Sequence, residues 1–348
     1  MRIKIFTTFL FITLGFIAIG QDNNISKEEY YAKRKKMMES GNNLLENETS
    51  NYQGNTRLIN IAPDLYFLKG TNSNMGIYLY EENFYLIDTQ IEEEMDRNLK
   101  IINRLNKKAS VKYLISTSNE LKARKAAMDL KNDGTLFVAQ KLSQKLNQNK
   151  KNGKAGYTGS FKPDLAYVNE IDLNIGDKKI EIVSINNEGN SMVFLPKNNV
   201  LFTGPIYTNK KYPNLDFENG NSLNLILNSL SKIILKADDN TIIVPGNGAI
   251  AKKSDVVNYK KVMNRILKQV GTLIENGKTL ENVLAMKSIT KNLDSQGFGE
   301  GSVTTEMFMT SVYNEMAFEI GPVDKRSPEE RAMERLKEMQ KDKEKKNE

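Results

Sequence analysis

The chain contains neither cysteine nor histidine. Without cysteine no disulfide can staple it, and without either residue the usual sulfur and nitrogen ligands of a structural zinc are missing. A chain of 348 residues must then be held by its core, and a hydrophobic share of 39% supplies one. The same absence bounds the chemistry. There is no Ser-His-Asp triad, no Cys-His pair and no thiol redox; only oxygen donors and lysine amines remain. It leaves the compartment open, since export permits disulfides without requiring them. The length fits about two domains, or one large α/β domain with extensions.

The ends read differently from the body. Arg2 and Lys4 precede an apolar run over residues 5–19, which closes on Ala18-Ile19-Gly20 before Gln21-Asp22. Small residues at Ala18 and Gly20 suit a signal peptidase, and 15 apolar residues are short of the roughly 20 that span a bilayer. We therefore expect a cleaved secretory signal, a periplasmic or extracellular protein, and no transmembrane segment afterwards. The formal charge of +7 falls to +5 once Arg2 and Lys4 are removed. That mild excess shows no clustering with stacking aromatics, so nucleic acid is not an expected partner. Residues 26–46 are polar, with Lys33-Arg34-Lys35-Lys36 inside them, and residues 327–348 are nearly all charged, Met or Gln. Such runs are usually solvated faces, although the second is also a possible docking segment for a partner.

Between the ends, β-rich runs and amphipathic helices alternate. Strands are expected at 58–61, 65–68, 76–80, 84–87, 111–115, 136–139, 165–168, 179–183, 192–195, 200–202 and 241–244. Glu81-Glu82-Asn83 reads as a hairpin turn, and residues 149–162 as a polar loop. Helices are expected at 90–107, with Met95, Leu99, Ile102 and Leu105 on one face, and at 120–132, 140–147 and 222–235. Another covers 254–275, with Val257, Val262, Ile266 and Val270 toward the core, and shorter ones cover 280–286 and 304–318. Strands and helices in this order suggest two packed sheets with helices outside.

Five segments in one order carry a family resemblance. They are Leu86-Ile87-Asp88-Thr89, the strand Val111-Lys112-Tyr113-Leu114-Ile115-Ser116-Thr117, and Gly189 followed by the strand at Met192. The third runs on through Asn199-Val200-Leu201-Phe202-Thr203-Gly204; Ile243-Val244-Pro245-Gly246-Asn247-Gly248 is the fourth, and the helical stretch after Asn258, with Gly277-Lys278-Thr279-Leu280 and residues 304–313, is the fifth. Over residues 59–318 the chain resembles the metallo-β-lactamase fold superfamily, in a secreted bacterial subgroup. The resemblance implies an α/β fold, a four-layer αββα sandwich, and a metal-dependent hydrolase. It divides the chain into a signal peptide (1–20), a polar N-terminal extension (21–55), a metallo-β-lactamase-like domain with C-terminal helices (56–320) and a charged helical or disordered tail (321–348).

The ligand positions depart from the family pattern. The first two histidines of its His-x-His-x-Asp-His loop fall on Ser118 and Glu120, its aspartate on Lys122 and its last histidine on Ala123. The next histidine falls on Asn186, the metal-bridging aspartate on Pro205 and the final histidine on Asn247. Lys122 would repel a divalent ion, and Ala123 and Pro205 have no side-chain donor. The expectation is a degenerate member with no cofactor, no metal and no catalytic residues. Its cleft would be lined by Asp88, Ser118, Glu120, Lys122, Asn186, Asn190 and Asn247, open to a small polar ligand or an envelope protein. Lys122 is expected to pair with Glu120 or Asp88, and Asp88 to bond local backbone. Tyr207 and Tyr212 stand either at the cleft rim or in the packing. The alternatives are a hydrolase with an atypical site, using Lys122 as base and Ser118 as nucleophile, or a hard-cation site from Asp88, Glu120, Asn186 and Asn247.

Overall fold

A computed structural model describes residues 56–118, 122–141, 162–217, 220–321 and 333. The segments read as signal (1–20), extension (21–55) and, apart from 321 and 333, tail (321–348) lie outside the described residues, as does nearly all of the loop at 149–162.

The first sheet runs β1 (Arg57–Ala62), β2 (Leu65–Lys69), β3 (Asn74–Tyr80), β4 (Asn83–Ile87), β5 (Ser110–Ile115), β6 (Leu136–Gln140) and β7 (Leu165–Tyr167), in that spatial order. Strands β1 to β4 form an antiparallel meander, and β4 to β7 are parallel. The second sheet pairs β12 (Ile242–Val244), β11 (Val200–Phe202), β10 (Ser191–Leu195), β9 (Lys178–Ser184) and β8 (Glu170–Ile175). Parallel neighbours need crossovers, and helices α1 (Glu92–Leu105) and α2 (Arg124–Asn132) supply those from β4 to β5 and from β5 to β6. Their Met95, Ile102, Ala127 and Leu130 cover Leu86, Leu114 and Phe137 on the outer face of the first sheet.

The remaining helices are α3 (Leu223–Lys236), α4 (Lys253–Glu275), α5 (Leu280–Ala285), α6 (Lys291–Asp294) and α7 (Thr305–Ile320). They cover the other sheet, where Ile226, Leu230, Met263, Ile266 and Phe308 join Leu201 and Ile243 in one core. The sheets meet face to face between these layers. A Cβ on Gly76 of β3 would fall 2.6 Å from Cε1 of Phe202 on β11, so glycine is required for this close approach. Layer by layer this is an αββα sandwich. Among the described residues no helix is long and apolar enough to cross a membrane.

Several boundaries differ from the sequence reading. Strand β8 was not expected, because Glu170, Asp172 and Asn174 are poor strand formers. Those three are exposed while Leu173 and Ile175 are buried, a clean two-residue period, and the turn into β9 places Gly176 at φ +57°. On α4 the buried face carries Val256, Tyr259, Met263, Ile266 and Val270, and Val257 is 44% exposed, so the expected face was off by one residue at its start. Helix α2 begins at Arg124, and residues 119–121 before it lie outside the described set. Gln140 ends β6 instead of opening a helix, and the rest of the stretch expected to be helical at 140–147 is outside the described residues beyond 141.

Candidate functional site

The loops after β4, β5, β11 and β12 and the loop before β10 converge at one end of the sandwich. Asp88 follows β4 with a left-handed φ of +61°, and its N–H donates to Ile115 O at 2.8 Å. Asparagine and aspartate tolerate this conformation better than most residues. Its carboxylate is taken up locally. The Thr117 N–H donates to Oδ1 at 2.8 Å and the Thr117 hydroxyl to Oδ2 at 2.6 Å. The Thr117 carbonyl accepts from the Ser191 N–H at 2.8 Å, and the Ser191 Oγ pairs with the Tyr167 hydroxyl at 2.7 Å. Gly204 presses against the Thr117 side chain, where a Cβ would collide with Oγ1. Thr117 thereby joins the end of the first sheet to the start of β10. Asp88 as a residue is half-buried, but burial of its carboxyl dominates and pushes its pKa up, opposed by the Thr117 hydrogen bonds and the nearby Lys122 charge.

Asn186 and Asn190 are buried together. Asn186 Oδ1 accepts from Glu188 N at 3.0 Å, Asn190 N at 3.3 Å and Asn190 Nδ2 at 3.2 Å. Its Nδ2 donates to Ser229 Oγ on α3 at 3.1 Å. A buried amide with all these partners closes a loop onto a helix.

Ser118, Lys122 and Asn247 lie nearer the surface. The Ser118 carbonyl accepts from Ser116 Oγ at 2.9 Å. Lys122 is exposed, and its Nζ lies 3.5 Å from Asn72 O; Asn247 Nδ2 donates to the same oxygen at 3.1 Å. Glu120 lies outside the described residues. The tyrosines beyond Pro205 belong to the packing and do not form a rim. Tyr207 is buried edge-on to Tyr259, with centroids 5.2 Å apart, and Tyr212 stacks on Phe308 at 4.4 Å.

The described donors do not fit the zinc ion that the family resemblance implies. Both Asp88 oxygens face Thr117, the Asn186 oxygen faces three N–H groups, and Asn247 turns its nitrogen toward Asn72. Lys122 brings an ammonium to the same place, and Ala123 and Pro205 offer nothing. Among the described residues no three Asp, Glu, His or Cys side chains group to hold a metal.

The sequence reading passed over Thr117, Asn72, Asn74 and Ser191. Gly70-Thr71-Asn72-Ser73-Asn74 carries a turn composition that marks the loop but not its partners. Thr117 looks like an ordinary strand end, and only the fold brings it onto Asp88.

No protein-family model and no curated protein matches the chain. Among solved structures it is similar to a metallo-β-lactamase from Pontibacter korlensis, at 18% identity over 60% of this chain and 99% of that one, with a TM-score of 0.49. It is also similar to the stereoselective inverting sec-alkylsulfatase Pisa1 from Pseudomonas sp., at 14% identity over 75% of this chain and 50% of that one, with a TM-score of 0.59. The chain thus spans half the length of the alkylsulfatase it matches. Identities this low speak for fold alone. With its two sheets and outer helices, the chain is an αββα sandwich and is similar in fold to that alkylsulfatase.

Proposed function

We propose that the protein is an exported binding protein on a metallo-β-lactamase fold, working without zinc and without hydrolysis. One observation carries the reading. The side chains of Asp88, Lys122, Asn186 and Asn247 bond the protein's own backbone and side chains instead of leaving a set of donors aimed at one point. Hydrolysis in this fold family draws on zinc, which lowers the pKa of bound water toward about 7. A carboxylate engaged by two donors and an ammonium in the same place supply no equivalent. What remains is a polar rim of Ser118, Lys122 and Asn247, suited to a small polar ligand or a loop of an envelope protein. Export to the periplasm or beyond rests on the apolar run at 5–19 and the small residues Ala18 and Gly20.

The test is metal content of the purified mature protein by elemental mass spectrometry, with a zinc titration by calorimetry. No bound metal and no zinc affinity tighter than about millimolar supports the reading. About one metal per chain overturns it in favour of a hydrolase with an atypical site, and makes Asp88, Glu120, Asn186 and Asn247 the first positions to mutate.

A further inference from the structure

Two neighbouring helices on the outside of the second sheet carry charge of one sign. The charged side chains of α3 are Lys232 and Lys236, and from residue 256 to 274 those of α4 are Lys260, Lys261, Arg265 and Lys268; neither stretch holds an acid. Helix α1, on the other outer layer, mixes both signs, with Arg97 and Glu94 3.8 Å apart.

The helices run antiparallel, because Lys253 Nζ donates to Ala237 O at 2.9 Å and Lys260 Nζ to Ser231 Oγ at 2.6 Å. Lys236 is neutralised by Glu181 on β9, at 2.6 Å. Lys232, Lys261, Arg265 and Lys268 are exposed, and among the described residues no carboxylate pairs with them. Lys261, Arg265 and Lys268 follow one another at four and three residues on one stripe. Like charges at that spacing repel and weaken a helix, so folding alone does not favour them.

Two apolar side chains stand beside the cations. Leu235 on α3 is 83% exposed and Val257 on α4 is exposed as well. Both lie between the two hydrogen bonds that join the helices, so they sit at the same level of the pair. The acids at this end are Asp238, Asp239 and Asp255. Asp238 accepts from Asn199 Nδ2 at 3.1 and 3.0 Å, and Asp255 accepts from Lys252 N at 2.8 Å, while Asp239 is exposed.

We propose that the α3–α4 face adsorbs to an anionic lipid surface, with Lys232, Lys261, Arg265 and Lys268 on the headgroups and Leu235 and Val257 entering the boundary with the acyl chains. An acidic peptide would satisfy the cations and leave the apolar pair in water. A bilayer offers mobile anions with an apolar layer directly beneath them. This surface is separate from the loop-end site and independent of what that site binds.

The experiment is co-sedimentation of the mature protein with vesicles of phosphatidylcholine alone or mixed with phosphatidylglycerol. Binding to the mixed vesicles only is expected. Each basic side chain brought to such a surface strengthens binding about fivefold. The variant Lys261→Gln/Arg265→Gln/Lys268→Gln should therefore bind about tenfold or more weakly. Lys100→Gln/Lys107→Gln/Lys108→Gln removes the same charge from exposed positions on and just after α1 and should keep the binding. The basic run at 33–36 and the charged residues 327–348 stay in both variants, so they cannot produce a difference between them. The chain has no tryptophan, so Leu235→Trp places a single fluorophore on the face, and its emission should shift to the blue on mixed vesicles. Circular dichroism establishes that the variants fold.

Equal losses in the two triple variants, equal binding to both kinds of vesicle, or no binding to either would overturn the proposal. Polyglutamate bound as tightly as the mixed vesicles, with an unshifted tryptophan, would overturn the lipid in favour of an acidic polypeptide.

Discussion

Asp88 and Thr117 lock to each other at two points, because the threonine donates both its backbone N–H and its hydroxyl to the two oxygens of one carboxylate, at 2.8 and 2.6 Å. The pair joins the ends of β4 and β5, and the Thr117 carbonyl carries the link on to Ser191 in the second sheet. Thr117→Val keeps the shape and removes one donor. A carboxylate oxygen deprived of its partner in a desolvated place costs about 1–3 kcal/mol. Urea denaturation of Thr117→Val at neutral pH should show that loss. A variant as stable as the parent would mean that water replaces the hydroxyl and that the lock is not structural.

The same carboxyl gives a pH dependence with a definite sign. Burial raises the Asp88 pKa above its ordinary value of 3.8, so the folded state holds the proton more tightly than the unfolded chain does. The stabilisation from this group is fully present below pH 3.8 and is lost as pH rises through the folded pKa. In Asp88→Asn, the amide oxygen can accept from the Thr117 N–H, its NH2 can donate to the hydroxyl, and asparagine tolerates the left-handed φ. The stability of Asp88→Asn relative to the parent should therefore increase between about pH 4 and pH 8. Denaturant midpoints across that range measure it. A flat or falling difference would mean that Lys122 and the Thr117 donors outweigh burial.

The legible and illegible parts of this fold divide along physical lines. Strand β4 announces itself because both its faces are covered, so Phe84, Tyr85, Leu86 and Ile87 run without interruption. Strand β8 hides because it is an edge strand with a polar face, and its three inward side chains barely exceed the noise of a six-residue window. The site fared similarly. The replaced ligand positions are visible in sequence because each stands at a fixed offset from a readable strand. The partners are invisible because they are long-range: Asn186 meets Ser229 across 43 residues and Asn247 meets Asn72 across 175. No local pattern encodes that an asparagine will spend its amide on a distant backbone.

Helix α7 is tied to α3 by a buried acid. Glu315 on α7 is fully buried, and its carboxylate accepts from Leu223 N at 2.6 Å and Asn224 N at 2.9 Å, at the start of α3. Ser222 caps the next donor, Leu225 N, at 3.0 Å. Two orphan N–H groups of α3 thus depend on a residue 91 positions or more away. Glu315→Ala strips both and leaves a cavity, and should cost about 2–4 kcal/mol. Glu315→Gln keeps one acceptor and should cost less. Thermal melts of the two variants check the order; equal stabilities would show that the contact is packing alone.

The approach of the two sheets can be tested at its tightest point. Gly76 on β3 faces Phe202 on β11, and a methyl group at Gly76 would sit 2.6 Å from Cε1 and 2.9 Å from Cζ of the ring. The ring is 4% exposed, so it cannot simply swing out into solvent. Gly76→Ala should therefore overpack the interface and destabilise by about 1–3 kcal/mol. Phe202→Leu alone should also destabilise, by removing buried apolar volume. The two changes are complementary, because the shorter side chain vacates the space that the methyl needs. The double variant should then lose less stability than the sum of the single losses, with a favourable coupling of about 0.5–3 kcal/mol. Denaturation of all four proteins closes the cycle. Additive losses would mean that the sheets part to admit the methyl group, and that Gly76 serves strand geometry more than inter-sheet packing.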